Sequence, residues 1–312
     1  KGIKSFTWNL LKPIYALQRI GSKTLTKLFD NVRAGEDTYA VDIYEAREFF
    51  QDKDNKYNYS KWDFKKRYSF KDSAGNDFTL SLEQIKSLYA YSKRDQADRH
   101  LEVGGFIFDD AIEVTEKTKV GIPMKYEVND ANPYRLRRED LLAVVESLTA
   151  EQKGFVDEMQ TYLSDVMGAK GNEVSMQLYG IKMFKEQFYF PLRSSGAYME
   201  RAKEAEMKKQ QGQINLVNSG FTHAVKPEAK NPIILSGFLD VWAEHCNEMS
   251  MYHSMVLPME DFRKVYNYST VHDDKVDSAS VFQTIQDAYG DAATAYIDQL
   301  YRELNAGATI DP

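Results

Sequence analysis

The chain has 312 residues, with 40 Lys and Arg against 47 Asp and Glu for a net charge of −7, and is 43% hydrophobic and 28% charged, the profile of a globular chain able to bury a sizeable core. The length suits about two domains or one large elongated one, and the single Cys246 excludes the internal disulfide framework of cysteine-rich secreted scaffolds. No run approaches the roughly 18 uninterrupted apolar residues of a membrane-crossing helix, no signal-peptide pattern opens the chain, and the start at Lys1 leads us to expect a piece of a longer polypeptide.

Residues 1–33 carry Lys1, Lys4, Lys12, Arg19, Lys23, Lys27 and Arg33 against Asp30 alone, a net of +6 that leaves −13 on residues 34–312. Phe6, Trp8, Leu10, Leu11, Ile14, Leu17, Ile20, Leu25, Leu28 and Phe29 recur every three or four residues, the pattern of amphipathic helix interrupted near Pro13 and Gly21. Clustered cations along an apolar stripe suit nucleic acid or an anionic membrane. The alternative is that the stripe docks on the acidic remainder of the chain and enters its core. With DNA as partner, Lys4, Lys12, Arg19, Lys23 and Lys27 are the candidate phosphate contacts, and Trp8 and Tyr15 offer stacking faces.

A second helix is predicted over Asp37–Phe50, ended by the polar run Gln51–Tyr59. Tyr68, Phe70, Phe78 and Leu80 then alternate with polar residues around Gly75-Asn76, the signature of a short hairpin whose turn uses both residues at positive φ. Ser81 is placed to cap a helix from Leu82 to about Leu101, which Gly104-Gly105 stops. Phe106–Phe108 and the apolar positions from Ile112 to Val128 suggest a second small β element. Beyond Pro133 the texture is helical: Arg138–Leu148; a helix capped at Thr149 and closed by Gly168 and Gly171; and Asn172 to about Glu186. Pro191 makes Phe188–Arg193 extended. Residues 197–213 are highly charged and read as an exposed helix or partly mobile arm. Pro232 opens the longest apolar helix, Ile233 to about Met255, which Pro258 ends, and helices at about Val276–Ala288 and Asp291–Asn305 finish the chain. The expected fold is mainly α, a multi-helix domain with one or two small β-hairpin elements in its N-terminal half. It divides as 1–136 and 137–312, or runs as one elongated domain.

Two constellations carry candidate chemistry. The long helix holds Asp240, Trp242, Glu244, His245, Cys246, Glu248, Tyr252 and His253, with His245 and Glu248 three residues apart on one face. The spacing is no zinc signature, which would need two histidines four apart. Gly171-Asn172-Glu173 at a predicted helix start offers N–H donors and a carboxylate, followed by Tyr189 and Arg193 at alternating positions of an extended strip. Arg193 suits a phosphate or carboxylate, or alternatively pairs with an acid of the long helix as structural glue. Glu173, Tyr189, Arg193, His245 and Tyr252 are therefore the candidate binding residues, lining a pocket if the chain is a hydrolase or transferase. No catalytic residue, metal ligand set or cofactor is assigned. Gly104-Gly105 is no phosphate loop, no Gly-x-Ser-x-Gly elbow exists, and Asn132-Pro133-Tyr134 lacks the second proline of a methyltransferase motif.

Three stretches together resemble one family: Leu82–Arg94 (LEQIKSLYAYSKR) with His100-Leu101 and Gly104-Gly105; Gly171–Ser175 (GNEVS) with Tyr189-Phe190-Pro191; and Ala229-Lys230-Asn231-Pro232 with the helix through His245, Met249 and Tyr252. They resemble a helical region of the large polyvalent proteins of phages, prophages and conjugative elements in gut Firmicutes, chains that join methyltransferase, helicase and other domains to helical segments of unassigned role. The resemblance implies a non-catalytic structural or interaction domain. Its partners would be the other domains of a larger parent chain and DNA, and its place the bacterial cytoplasm, a virion, or a complex transferred with DNA.

Overall fold

In the computed structural model, residues 23–94, 97–117, 123–129, 132–195, 230–267, 270–272, 275–278 and 280–305 are described. The fold is mainly α. Among the described residues, 43–195 with 230–250 form one compact unit and 23–42 with 251–305 form another, so residues 1–136 and 137–312 each contribute to both.

Helix α1 (Lys23–Tyr57) is a single 35-residue helix. The polar run expected to end it is helical through Tyr57, because its charges have partners across the larger unit. Lys53 pairs with Glu158 at 2.9 Å, Lys56 pairs with the same carboxylate, and the Tyr57 hydroxyl donates to it at 2.7 Å. Strands β1 (Arg67–Lys71) and β2 (Asp77–Ser81) form the expected hairpin, with Phe70 opposite Phe78. Only Gly75 takes the left-handed conformation, at φ +88°. Asn76 instead donates its backbone and side-chain N–H groups to the Asp72 carboxylate at 2.8 and 2.9 Å. The Ser81 hydroxyl and the Gln84 side chain cap the helix start reciprocally, as the sequence indicates. The helix does not reach Leu101 unbroken, since α2 (Leu82–Ser92) is followed by a separate α3 (Ala97–Val103).

Strand β3 (Phe106–Phe108) makes no hairpin with the strand after it. Its register is parallel with β6 (Ile233–Leu235), Phe106 opposite Ile233 and Phe108 opposite Leu235. Tyr134 bridges β3 on its other side and Ser194 bridges β6. Gly105, at φ +74°, permits this: a Cβ there would stand 2.4 Å from the Tyr134 carbonyl oxygen. The hairpin that does form is β4 (Ile112–Lys117) with β5 (Pro123–Val128).

Helix α4 (Arg138–Val145) precedes one long helical stretch: α5 (Ala150–Thr161), a π-helical segment at Tyr162–Met167, and α6 (Gly168–Tyr179). The Thr149–Gln152 capping box is present. Gly168 and Gly171 do not close a helix. They lie inside it, and Gly171 is where Met249 and Phe184 press closest, 2.5 and 2.7 Å from the position of an added Cβ. The helix ends instead at Gly180, φ +70°.

Helix α7 (Phe238–Asn267) starts after β6 and continues through Pro258, contrary to the expected stop. A proline there removes the N–H that would satisfy the Ser254 carbonyl one turn back. Gly35 of α1 faces that carbonyl, and a Cβ on Gly35 would lie 2.6 Å from its oxygen. The second unit is completed by strands β7 (Thr270–His272) and β8 (Lys275–Ser278), an unexpected hairpin, and by α8 (Val281–Tyr289) and α9 (Asp291–Asn305). Its core joins Leu28, Phe29 and Val32 to Met255, Met259 and Phe262, with Ile285 and Ile297. His253 Nδ1 lies 2.7 Å from the buried Asp42 carboxylate, linking α7 to α1 within that unit. The charged arm at 197–213 lies outside the described residues.

Candidate functional site

Three of the five candidate residues converge. Backbone bonding sets the first: Ile234 N–H donates to the Arg193 carbonyl at 2.8 Å, and the Arg193 guanidinium reaches Glu244 of α7 at 2.6 Å. The Tyr189 N–H donates to Ser164 Oγ in the π-helical segment at 3.0 Å, which turns the Tyr189 ring onto that of His245, centroids 5.0 Å apart. Arg94 closes the cluster. It grips Glu186 with two nitrogens at 2.6 and 2.9 Å, donates to the Phe190 carbonyl at 2.8 Å, and lies 5.1 Å from the Tyr189 ring centre.

The protonation states of this cluster are fixed far from neutrality. Burial, helped by Arg193 and Arg94, lowers the His245 imidazole to about 3, so the ring is neutral at physiological pH and is a poor proton acceptor. Burial raises Tyr189 to about 12, with Glu186 and Glu248 adding to it and Arg94 and Arg193 opposing. Burial also pushes the Cys246 thiol up, away from the thiolate.

Glu173 is not part of this cluster. Glu173 is exposed in the body of α6, so the helix start expected at Gly171-Asn172-Glu173, with its unsatisfied N–H donors, does not exist. Asn172 instead pins the returning chain, its side chain accepting from Phe184 N–H at 2.9 Å and donating to the Phe184 carbonyl at 2.7 Å. Tyr252 is buried in the second unit. Among the candidate nucleic-acid contacts, Lys23 and Lys27 are exposed on α1, while Lys4, Trp8, Lys12, Tyr15 and Arg19 lie outside the described residues. Among those described, no three His, Cys, Asp or Glu side chains gather as a metal would require, and no helix is long and apolar enough to cross a membrane.

Sequence reasoning missed the most deeply enclosed lysine among the described residues. Lys86 of α2 is fully buried, with its ammonium 4.3 Å from the centre of the Tyr59 ring, 5.1 Å from Trp62 and Phe155, 5.6 Å from Phe238 and 5.9 Å from Phe64. Its counter-ion is Glu83, one turn earlier. That carboxylate also accepts from the Tyr59 hydroxyl at 3.0 Å and from Leu239 N–H in the first turn of α7 at 3.0 Å, where the helix dipole favours negative charge. Burial pulls Lys86 down to about 8 against the opposing pull of Glu83, and raises Asp240 nearby, with Glu83, Asp109 and Glu244 adding. The signal was present: Lys86 lies on the apolar stripe with Leu82, Ile85 and Tyr89, where a lysine is out of place unless partnered.

Comparison of the chain with protein-family models, curated proteins and solved structures finds no match.

Proposed function

We propose that the chain is a non-catalytic structural or interaction domain of a large protein encoded by a phage or conjugative element, working beside other domains of the same parent chain. The observation that carries this reading is how fully the candidate chemistry is engaged internally. Arg193 is held by Glu244 and Arg94 by Glu186, and His245 is neutral and buried. Groups that a hydrolase or transferase would turn toward a substrate here tie loops to helices. The likeness of Leu82–Arg94 and Gly171–Ser175 to segments of large polyvalent proteins supports the parent.

A double-mutant cycle tests the module. Arg193→Ala, Glu244→Ala and the double variant should show a coupling of about 1 kcal/mol in urea unfolding. Single variants with unchanged stability would return both charges to a substrate-binding role. The parent is tested on the gene: methyltransferase or helicase motifs in frame with this segment are expected, and a stand-alone reading frame overturns that part.

A second reading, a nucleic-acid-binding module, is favoured by the net +6 of residues 1–33. Single-stranded and duplex DNA titrated at low and high salt decide it. Affinity falling steeply with salt supports the reading, and no measurable binding at low salt removes it.

A further inference from the structure

The segment from the last turns of α6 to Met183 displays large apolar side chains. Tyr179 is 61% exposed and Ile181 58%, with Met176, Met183 and Phe188 also exposed. Met176, Tyr179, Ile181 and Met183 lie together because the chain doubles back. After the left-handed turn at Gly180, Asn172 clamps both backbone groups of Phe184, and Ser175 Oγ accepts from Met183 N–H at 3.4 Å, so residues 181–184 return along the helix that carries Met176 and Tyr179. Phe188 lies farther back along the helical stretch, at φ +52°, held there by the buried Gln160 amide, which donates to its carbonyl at 3.0 Å and to that of Ala90 at 3.1 Å, with the Lys93 ammonium 5.3 Å over its ring. Together Met176, Tyr179, Ile181 and Met183 expose on the order of 400 Å², the size of patch that on a monomer is often functional.

The charges beside it choose the partner. Lys182 and Lys185 are exposed and have no charged partner among the described residues, whereas Glu186 is engaged by Arg94. Exposed Glu173 lies one turn before Met176 on α6. A second copy of the chain fits poorly, because a two-fold contact would set these lysines against themselves, and the patch falls short of the roughly 800 Å² per partner of a stable interface. Methionine with aromatics is the composition of adaptable protein-binding surfaces. We infer that the Met176–Met183 strip docks an amphipathic segment of another protein, apolar along one face and edged by carboxylates that meet Lys182 and Lys185. This inference rests on the chain being an interaction module.

The test uses the full chain with methyl-labelled methionine and a designed helical peptide bearing a leucine stripe edged by glutamates, compared with the same peptide edged by lysines. The Met176 and Met183 methyl resonances should shift with the glutamate peptide, which should bind about tenfold more tightly than the lysine peptide. Ile181→Asp should abolish the shift, and Lys182→Glu with Lys185→Glu should reverse the preference; all three sites are exposed, and circular dichroism checks the fold. Absence of shifts, or equal affinity for both peptides, overturns the inference. So does a dimer in sedimentation equilibrium that Ile181→Asp dissociates, or a response of the same methyls to phosphatidylglycerol vesicles in place of the peptides. Failure here with the Arg193–Glu244 coupling intact removes the docking strip and leaves the module reading in place; loss of that coupling removes the module reading itself.

Discussion

Two lysine–glutamate sites of the larger unit pair the same groups in opposite surroundings. At Lys86–Glu83 the ammonium is enclosed by five aromatic rings and has no exposure. At Glu158 two lysines, Lys53 and Lys56, meet a carboxylate that keeps about a third of its surface in water. In the box, burial dominates and Lys86 falls to about 8. At Glu158 burial acts to raise the carboxyl, but hydrogen bonds from Lys56, Tyr57 and Lys53 outweigh it and hold it at about 2. Identical pairing therefore links stability to pH at opposite ends of the scale. What a charge pair contributes is decided by what surrounds it, before its own distance matters.

The comparison breaks most visibly if a counter-ion is removed. Glu83→Gln leaves a buried ammonium without its counter-charge and should lose about 3–5 kcal/mol in chemical denaturation, while Lys86→Met, which removes the charge and fills the same space, should be neutral or stabilising. Equal losses in both variants would show that the box needs the ammonium itself. The pH dependence comes next in size. Lys86 titrates at about 8 folded and 10.5 unfolded, so the unfolded chain binds more protons between those values. Stability should rise with pH across that window by up to about 3 kcal/mol, a rise that Lys86→Met abolishes. Smaller again is Gly35→Ala, whose Cβ would stand 2.6 Å from the Ser254 carbonyl oxygen; about 2 kcal/mol should be lost, confined to protection of α1 and α7 amides of the second unit in hydrogen exchange. The smallest effect is at Glu158. Its stabilisation is present above its ordinary value of 4.5 and is lost as pH falls toward about 2. Glu158→Gln should therefore cost about 1 kcal/mol at neutral pH and nothing once the pH is below about 2.

Features fixed by local rules are the ones most legible in the sequence. The Ser81–Gln84 and Thr149–Gln152 capping boxes and the β1–β2 hairpin rest on contacts within a few residues, and all three form, with Asn76 bound to Asp72 in place of the expected positive φ. The departures share a physical origin in partners distant along the chain. The polar end of α1 is helical because of Glu158, about a hundred residues away, and Pro258 sits within α7 where Gly35 meets the Ser254 carbonyl that the proline cannot serve. β3 finds its strand partner at Ile233–Leu235. No periodicity reports such pairings. The candidate site divides in the same way. Tyr189, Arg193 and His245 are legible as polar residues in apolar strips, and the alternative of Arg193 as glue to an acid of the long helix is the one its bond to Glu244 matches. Glu173 falls outside the cluster because Gly171, which by local rules reads as a stop, lies inside a continuing helix, where its missing Cβ makes room for Met249 and Phe184.

The doubling-back of residues 181–189 has a consequence for how that surface can vary. Each bond that shapes its backbone comes from a side chain on the neighbouring helical stretch, Asn172, Ser175, Ser164 and Gln160, and none from the displayed residues themselves. Shape and content are thus written in different parts of the sequence. The strip behaves as a mounting on which Ile181 and Met183 can be exchanged without altering the frame.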